Sequence, residues 1–119
     1  MFIGKVVGTV WATKKVENLK NLRFLLVQPV DIEKEETKSI VVAADPLGAG
    51  PGELVLVSFG RAARLACGNE NISIEAAVVG IIDSIEMNRL AFKNAVETFD
   101  EIKKRLEERG VKIDETGNS

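Results

Sequence analysis

The chain has 119 residues, a formal net charge of −2 and no histidine, with 45% hydrophobic and 29% charged residues. This composition predicts a single globular domain with room for one modest core. The missing histidine removes the usual general base near neutral pH and the commonest zinc ligand, the slight acidic excess disfavours a duplex-binding surface, and no apolar run reaches the roughly 18–20 residues that span a bilayer.

Short runs rich in Val and Ile predict five strands, at 2–11, 22–28, 39–44, 53–59 and 76–85. Pro29, Pro46 and Pro51 fall at strand ends or in loops, where a missing N–H does no harm. Several short strands at regular spacing point to a small sandwich or barrel. The strand 53–59 carries Leu54, Leu56 and Ser58 on one face and Val55, Val57 and Phe59 on the other. A one-sided antiparallel sheet would alternate apolar with polar. Two covers for the extra apolar face stay open, namely the chain's own loops and helix, or another subunit. The stretch Gly60–Ser73 reads as a loop.

From Ser84 or Met87 the period becomes helical. Phe92, Val96, Phe99, Ile102 and Leu106 recur at three- and four-residue spacing and make one apolar stripe. Asp100 with Lys104 and Glu101 with Arg105 are i,i+4 pairs on the wet side, and Gly110 is a helix stop. The expected organisation is a β-barrel over 1–86, a helix over 87–110 packed on its own barrel or on a neighbouring subunit, and a flexible tail over 111–119.

No residue pattern carries catalysis. The loop Gly48-Ala49-Gly50-Pro51-Gly52 has the glycines of a phosphate loop, but Glu53 and a strand follow where Gly-Lys-Ser/Thr and a helix are needed. Arg61 and Arg64 read as surface salt-bridge formers ahead of an anion-binding pair. The acidic run Asp31, Glu33, Glu35 and Glu36 reads as a solvated loop ahead of a weak cation site. Cys67 is the one cysteine, so no internal disulfide forms; it fits a reducing cytoplasm and lacks neighbours that would activate it. Phe24 and Phe59 sit inside apolar strands and read as core, which leaves no aromatic platform for single-stranded nucleic acid. The expectation is no catalytic, metal or cofactor-binding residue and no nucleic-acid or membrane partner. An OB-type nucleic-acid or protein-binding module is the alternative, with a redox protein built on Cys67 behind it.

Four segments, in order, carry a resemblance. They are Gly4-Lys5-Val6-Val7-Gly8-Thr9-Val10-Trp11-Ala12-Thr13-Lys14, Leu25-Leu26-Val27-Gln28-Pro29, Ala44-Asp45-Pro46-Leu47-Gly48-Ala49-Gly50-Pro51-Gly52-Glu53 and Ala76-Ala77-Val78-Val79-Gly80-Ile81-Ile82-Asp83. Together they resemble the vertex proteins of bacterial microcompartments, the pentameric shell proteins of carboxysomes and ethanolamine-utilisation compartments. The resemblance covers about residues 1–86. It departs at Gly60-Arg61-Ala62-Ala63-Arg64, where family members often carry Gly-Ser-Ser-Ala-Arg. It implies a mainly β fold, a small five-stranded antiparallel OB-like barrel with a C-terminal α-helix. It further implies a non-enzymatic homopentamer that caps shell vertices in the cytoplasm and meets hexameric shell proteins. On this resemblance Gly48, Ala49, Gly50, Gly52, Glu53, Gly60, Arg61 and Arg64 are expected at subunit contacts or near the axial opening. Arg64 is expected to bond to a neighbour's backbone or carboxylate. The 14–21 and 31–38 loops are candidates for contacting hexamers.

Overall fold

A computed structural model describes residues 1–30, 39–92 and 96–117, without the side chains of 96 and 97. The expected acidic loop, the 31–38 hexamer-contact candidate and the Val96 side chain lie outside the described residues. Residues up to Pro29 and from Ser39 to Ile82 form one compact unit, and those from Asp83 onward belong to a second.

The first unit is a closed five-stranded barrel. Its strands are β1 (Phe2–Val10), β2 (Phe24–Pro29), β3 (Val41–Ala44), β4 (Leu54–Phe59) and β5 (Ala76–Ile82), in the order β1-β2-β3-β5-β4. Four neighbouring pairs are antiparallel. The ring closes through a parallel contact of β3 with β5, at Ala44 and Ala77. Five short strands close only if they bend and tilt. Two register shifts help, one in β1 between Val6 and Gly8 and one where β4 meets β5.

Val6, Leu25, Val27, Val55, Val57 and Val78 are fully buried inside the barrel, with Ala43, Ala49 and Ala76 filling the narrower parts. Close approach of β1 to β2 needs Gly4, because a Cβ there would run into the Val27 side chain. Leu25 makes no contact with water, so Leu25→Ala removes about 2–5 kcal/mol.

The segment after β4 is not a loop at its start. Gly60–Ala66 forms helix α1. Arg-Ala-Ala-Arg-Leu-Ala is good helix-forming sequence, but seven residues are too few to display a period. Ala63 on α1 packs with Ala44, Ala77, Ile72 and Ile74, joined by Leu19, Leu22, Phe24 and Cys67. The chain thus covers one sector of its own outer face. Phe59 is a correction. It lies 44% exposed at the end of β4, its ring centroid 5.3 Å from that of Phe2 with the planes tilted by 34°, and not in the core.

The second unit is built as β6 (Ile85–Asn88), α2 (Arg89–Phe92), α3 (Val96–Glu108) and β7 (Ile113–Thr116). β6 and β7 are parallel, with Ile85 opposite Ile113 and Met87 opposite Glu115. This revises three expectations. The last barrel strand ends at Ile82, the residues 85–88 start a new sheet, and helix begins at Arg89, not Met87. Residues 113–116 of the expected flexible tail are strand β7. The pattern Ile-Asp-Glu-Thr holds a single apolar residue, so its strand state depends on distant pairing with β6.

The helical stripe is otherwise as read. Phe99 and Leu106 are buried, as are Met87 and Val111. The Phe92 ring meets Phe99 edge-on at 4.9 Å, and the Arg89 guanidinium lies 4.4 Å from the Phe99 centroid. Gly110 stops α3 at φ +85°, and the Val111 N–H donates to the Leu106 carbonyl. Glu101 and Arg105 pair at 2.9 Å as expected. Asp100 instead pairs with Arg89 at 2.8 Å.

Candidate functional site

The glycine turn of the first unit is anchored by Asp45. Its side chain is fully buried, and Oδ1 accepts the N–H groups of Leu47 (3.1 Å) and Gly48 (3.0 Å). The same Asp fixes the backbone before it, since its N–H donates to the Arg23 carbonyl at 2.8 Å. The other oxygen, Oδ2, has no hydrogen-bond partner and lies 3.7 Å from the Arg23 guanidinium. Asp45-Pro46-Leu47-Gly48 is therefore an Asx turn read directly from side-chain chemistry.

Gly48 and Gly52 both sit at φ +87°, a left-handed conformation that glycine adopts without cost from a Cβ. Gly50 does not. Its N–H donates to the Glu53 carboxylate at 2.6 Å, and a Cβ there would meet only that flexible carboxylate, at 3.1 Å. Ala49 points into the barrel core and is wholly buried, so its side chain is not available to a neighbour. The turn is tied to β1, with the Gly52 N–H donating to Val6 and the Val6 N–H donating to Glu53.

The eight expected site residues fall into two groups. Gly48, Ala49, Gly50, Gly52 and Glu53 precede β4, and Gly60, Arg61 and Arg64 follow it. Six strand residues at about 3.3 Å each separate the two groups by roughly 20 Å along β4. The second group starts at Gly60, whose N–H donates to the Glu75 carbonyl at 2.8 Å. Arg61 pairs with Glu70 at 3.0 Å. Arg64 donates to the carbonyls of Glu70 (3.1 Å) and Ile74 (3.5 Å), with Glu75 at 3.8 Å. Within one chain, Arg64 therefore braces its own 70–75 loop.

The sequence signalled an apolar outer face but not where on the barrel it lies. Gly8, Leu26 and Val42 lie in register across β1, β2 and β3. Val7, Ile40, Val42 and Leu47 are each about half exposed (46–52%). The signal was present as apolar residues on both faces of the strands. Without the register, they could not be sorted into the sector under α1 and the sector left open.

Among the described residues, nothing in this arrangement pairs a nucleophile with a base. Partial burial and the Asp45 carboxylate both push the Cys67 thiol up, away from the thiolate. Among the described residues no group of three or more His, Cys, Asp or Glu could hold a metal ion. Among the described residues no helix is long and apolar enough to cross a membrane.

Residues 1–83 match the family model described as "Ethanolamine utilisation protein EutN/carboxysome". The chain is 43% identical over 86 residues to the bacterial microcompartment shell vertex protein GrpN of Rhodospirillum rubrum, across 72% of this chain and 97% of GrpN. It is 48% identical to the carboxysome shell vertex protein CcmL of a Nostoc species, across 73% of this chain and 87% of that one. The solved structure of the pentameric GrpN shell protein superposes with a TM-score of 0.64 at 41% identity, covering 73% of this chain and 99% of that chain. Nostoc CcmL gives 0.66 at 49% identity, covering 71% and 92%.

Proposed function

The chain belongs to the EutN/CcmL family, and from that premise we propose that it is a structural, non-enzymatic protein that forms a homopentamer at the vertices of a bacterial microcompartment shell, within the cytoplasm. Its relatives are named as shell vertex proteins, and the GrpN neighbour is described as pentameric. The single observation that carries the reading is the closed barrel with an exposed apolar sector. Leu26 and Val42 face outward in register, and among the described residues Val42, with Val7, Ile40 and Leu47, is about half exposed. Contiguous exposed apolar surface marks an interaction site. In a ring, each copy offers this sector to the different surface of the next, and a rotation of about 72° closes five copies.

The turn Gly48–Glu53 and the helix start Gly60–Arg64 are proposed to border the subunit contacts or the axial opening from opposite ends of β4. Gly48, Gly50, Gly52 and Glu53 would contribute from the turn. Gly60, Arg61 and Arg64 would contribute from the other end, with Arg64 holding the 70–75 loop in place. Hexameric shell proteins are the proposed partners of the assembled ring, and the exposed 14–21 loop is the described candidate for that contact. The test is capture of a co-encoded hexameric shell protein by the tagged chain. Co-purification supports the reading, and failure to capture while the hexamer assembles sheets contradicts it.

A further inference from the structure

Asp45 carries more than its turn needs. Oδ1 accepts the N–H groups of Leu47 and Gly48, at 3.1 and 3.0 Å, and a short neutral acceptor such as Asn or Ser can cap the same kind of turn. The carboxylate adds a second oxygen, and that oxygen is costly. The side chain is wholly buried and Oδ2 accepts no hydrogen bond. The Arg23 guanidinium, 3.7 Å away and itself 44% exposed, offsets that cost. The Arg23 carbonyl also accepts the Asp45 N–H at 2.8 Å, so backbone and charge both tie the two residues together.

The consequence falls on Leu47. Ala44 before it is buried against Ala63 of α1, and Ala49 after it is wholly buried in the barrel core. Between these two fixed points Leu47 stands 52% exposed. Pro46 has no N–H to contribute, so the hydrogen bonds that fix the backbone at Leu47 and Gly48 come from Asp45. An apolar side chain already held outward has less ordering to lose when another surface covers it.

We propose that Asp45 is a positioning residue for ring assembly. Its carboxylate, held beside Arg23, fixes the turn that presents Leu47 to the next copy of the chain. This rests on the pentamer reading above and assigns Leu47 a second copy as its partner. Asp45 is buried and touches no neighbour itself; it acts through Leu47.

The test is a double-mutant cycle on Asp45 and Leu47. Native mass spectrometry on dilution gives the protein concentration at which half the ring mass is lost, and urea titration of the same variants reports the fold of the single chain. Asp45→Ala should raise that concentration at least about fivefold, the low end for two lost hydrogen bonds. Leu47→Ala should raise it by at least about fivefold as well, as an interface anchor does. The double variant should match the weaker-assembling single variant within about twofold, because one residue acts through the other. Asp45→Asn keeps the acceptor oxygen and should assemble within about twofold of the unaltered chain, although its fold loses the charge pairing with Arg23. Should Asp45→Ala fail to fold, Asp45→Ser, a weaker cap, takes its place in the cycle with the same expected order. Effects that multiply in the double variant, or an unchanged midpoint concentration for the Asp45 variant, overturn the proposal and leave the pentamer reading standing. An unaltered chain that forms no ring overturns both.

Discussion

Gly48 and Gly52 hold the turn before β4 at φ +87°, while Gly50 between them needs no such freedom. Three glycines that look alike in sequence therefore have different consequences. A side chain forced into the left-handed region costs about 1–2 kcal/mol. Gly52→Ala should lower the chain's stability by about that amount, read from a urea titration. Gly50→Val should leave the fold near its original stability, because only the flexible Glu53 carboxylate stands in the way. Its expected effect is loss of assembly. An intact ring from Gly50→Val would remove this turn from the subunit contact. That a glycine loop precedes β4 was legible from the sequence, without the Asx turn that anchors it. The division of labour among the glycines was not, because φ is set by how the turn meets β1.

At the scale of elements, the five barrel strands were readable because their apolar runs are long and bounded by turn residues. β7 and α1 were not. β7 has one apolar residue in four and exists through its pairing with β6, and α1 is shorter than two helical turns. The second unit carries its own electrostatic signature. Hydrogen bonds from Arg89 and then Lys103 lower the Glu115 pKa to about 2. Glu115 in turn raises both Lys103 and Arg89 above their usual values. A depressed carboxylate stabilises the fold fully above its unfolded value of 4.5 and loses that contribution as pH falls toward about 2. Lys103 runs the other way. Its contribution is complete below the usual 10.5 and fades as pH rises through its raised value. The melting midpoint of the second unit should fall between pH 4.5 and 2. Glu115→Gln should flatten that dependence in a series of thermal melts. A wild-type midpoint that is level across the window would contradict this account of the ion cluster.

At the scale of the whole molecule, the expected fold class and family role were accessible because four ordered motifs fall within the barrel. The surface proposed to carry assembly was harder to locate. Apolar residues on both strand faces signalled a covered exterior, yet α1 covers one sector and leaves the Leu26–Val42 sector open. Val42 is 51% exposed, so Val42→Asp should spare the monomer, with a stability change within about 0.5 kcal/mol, and prevent ring formation. Retention of the ring by this variant, seen by size-exclusion chromatography, would move the interface elsewhere on the barrel. The most direct measurement is the native mass of the unaltered chain in solution. Five chains of 12.9 kDa make a closed ring of about 65 kDa, and that is the mass predicted. A stable species of about 13 kDa across the working concentration range would contradict it.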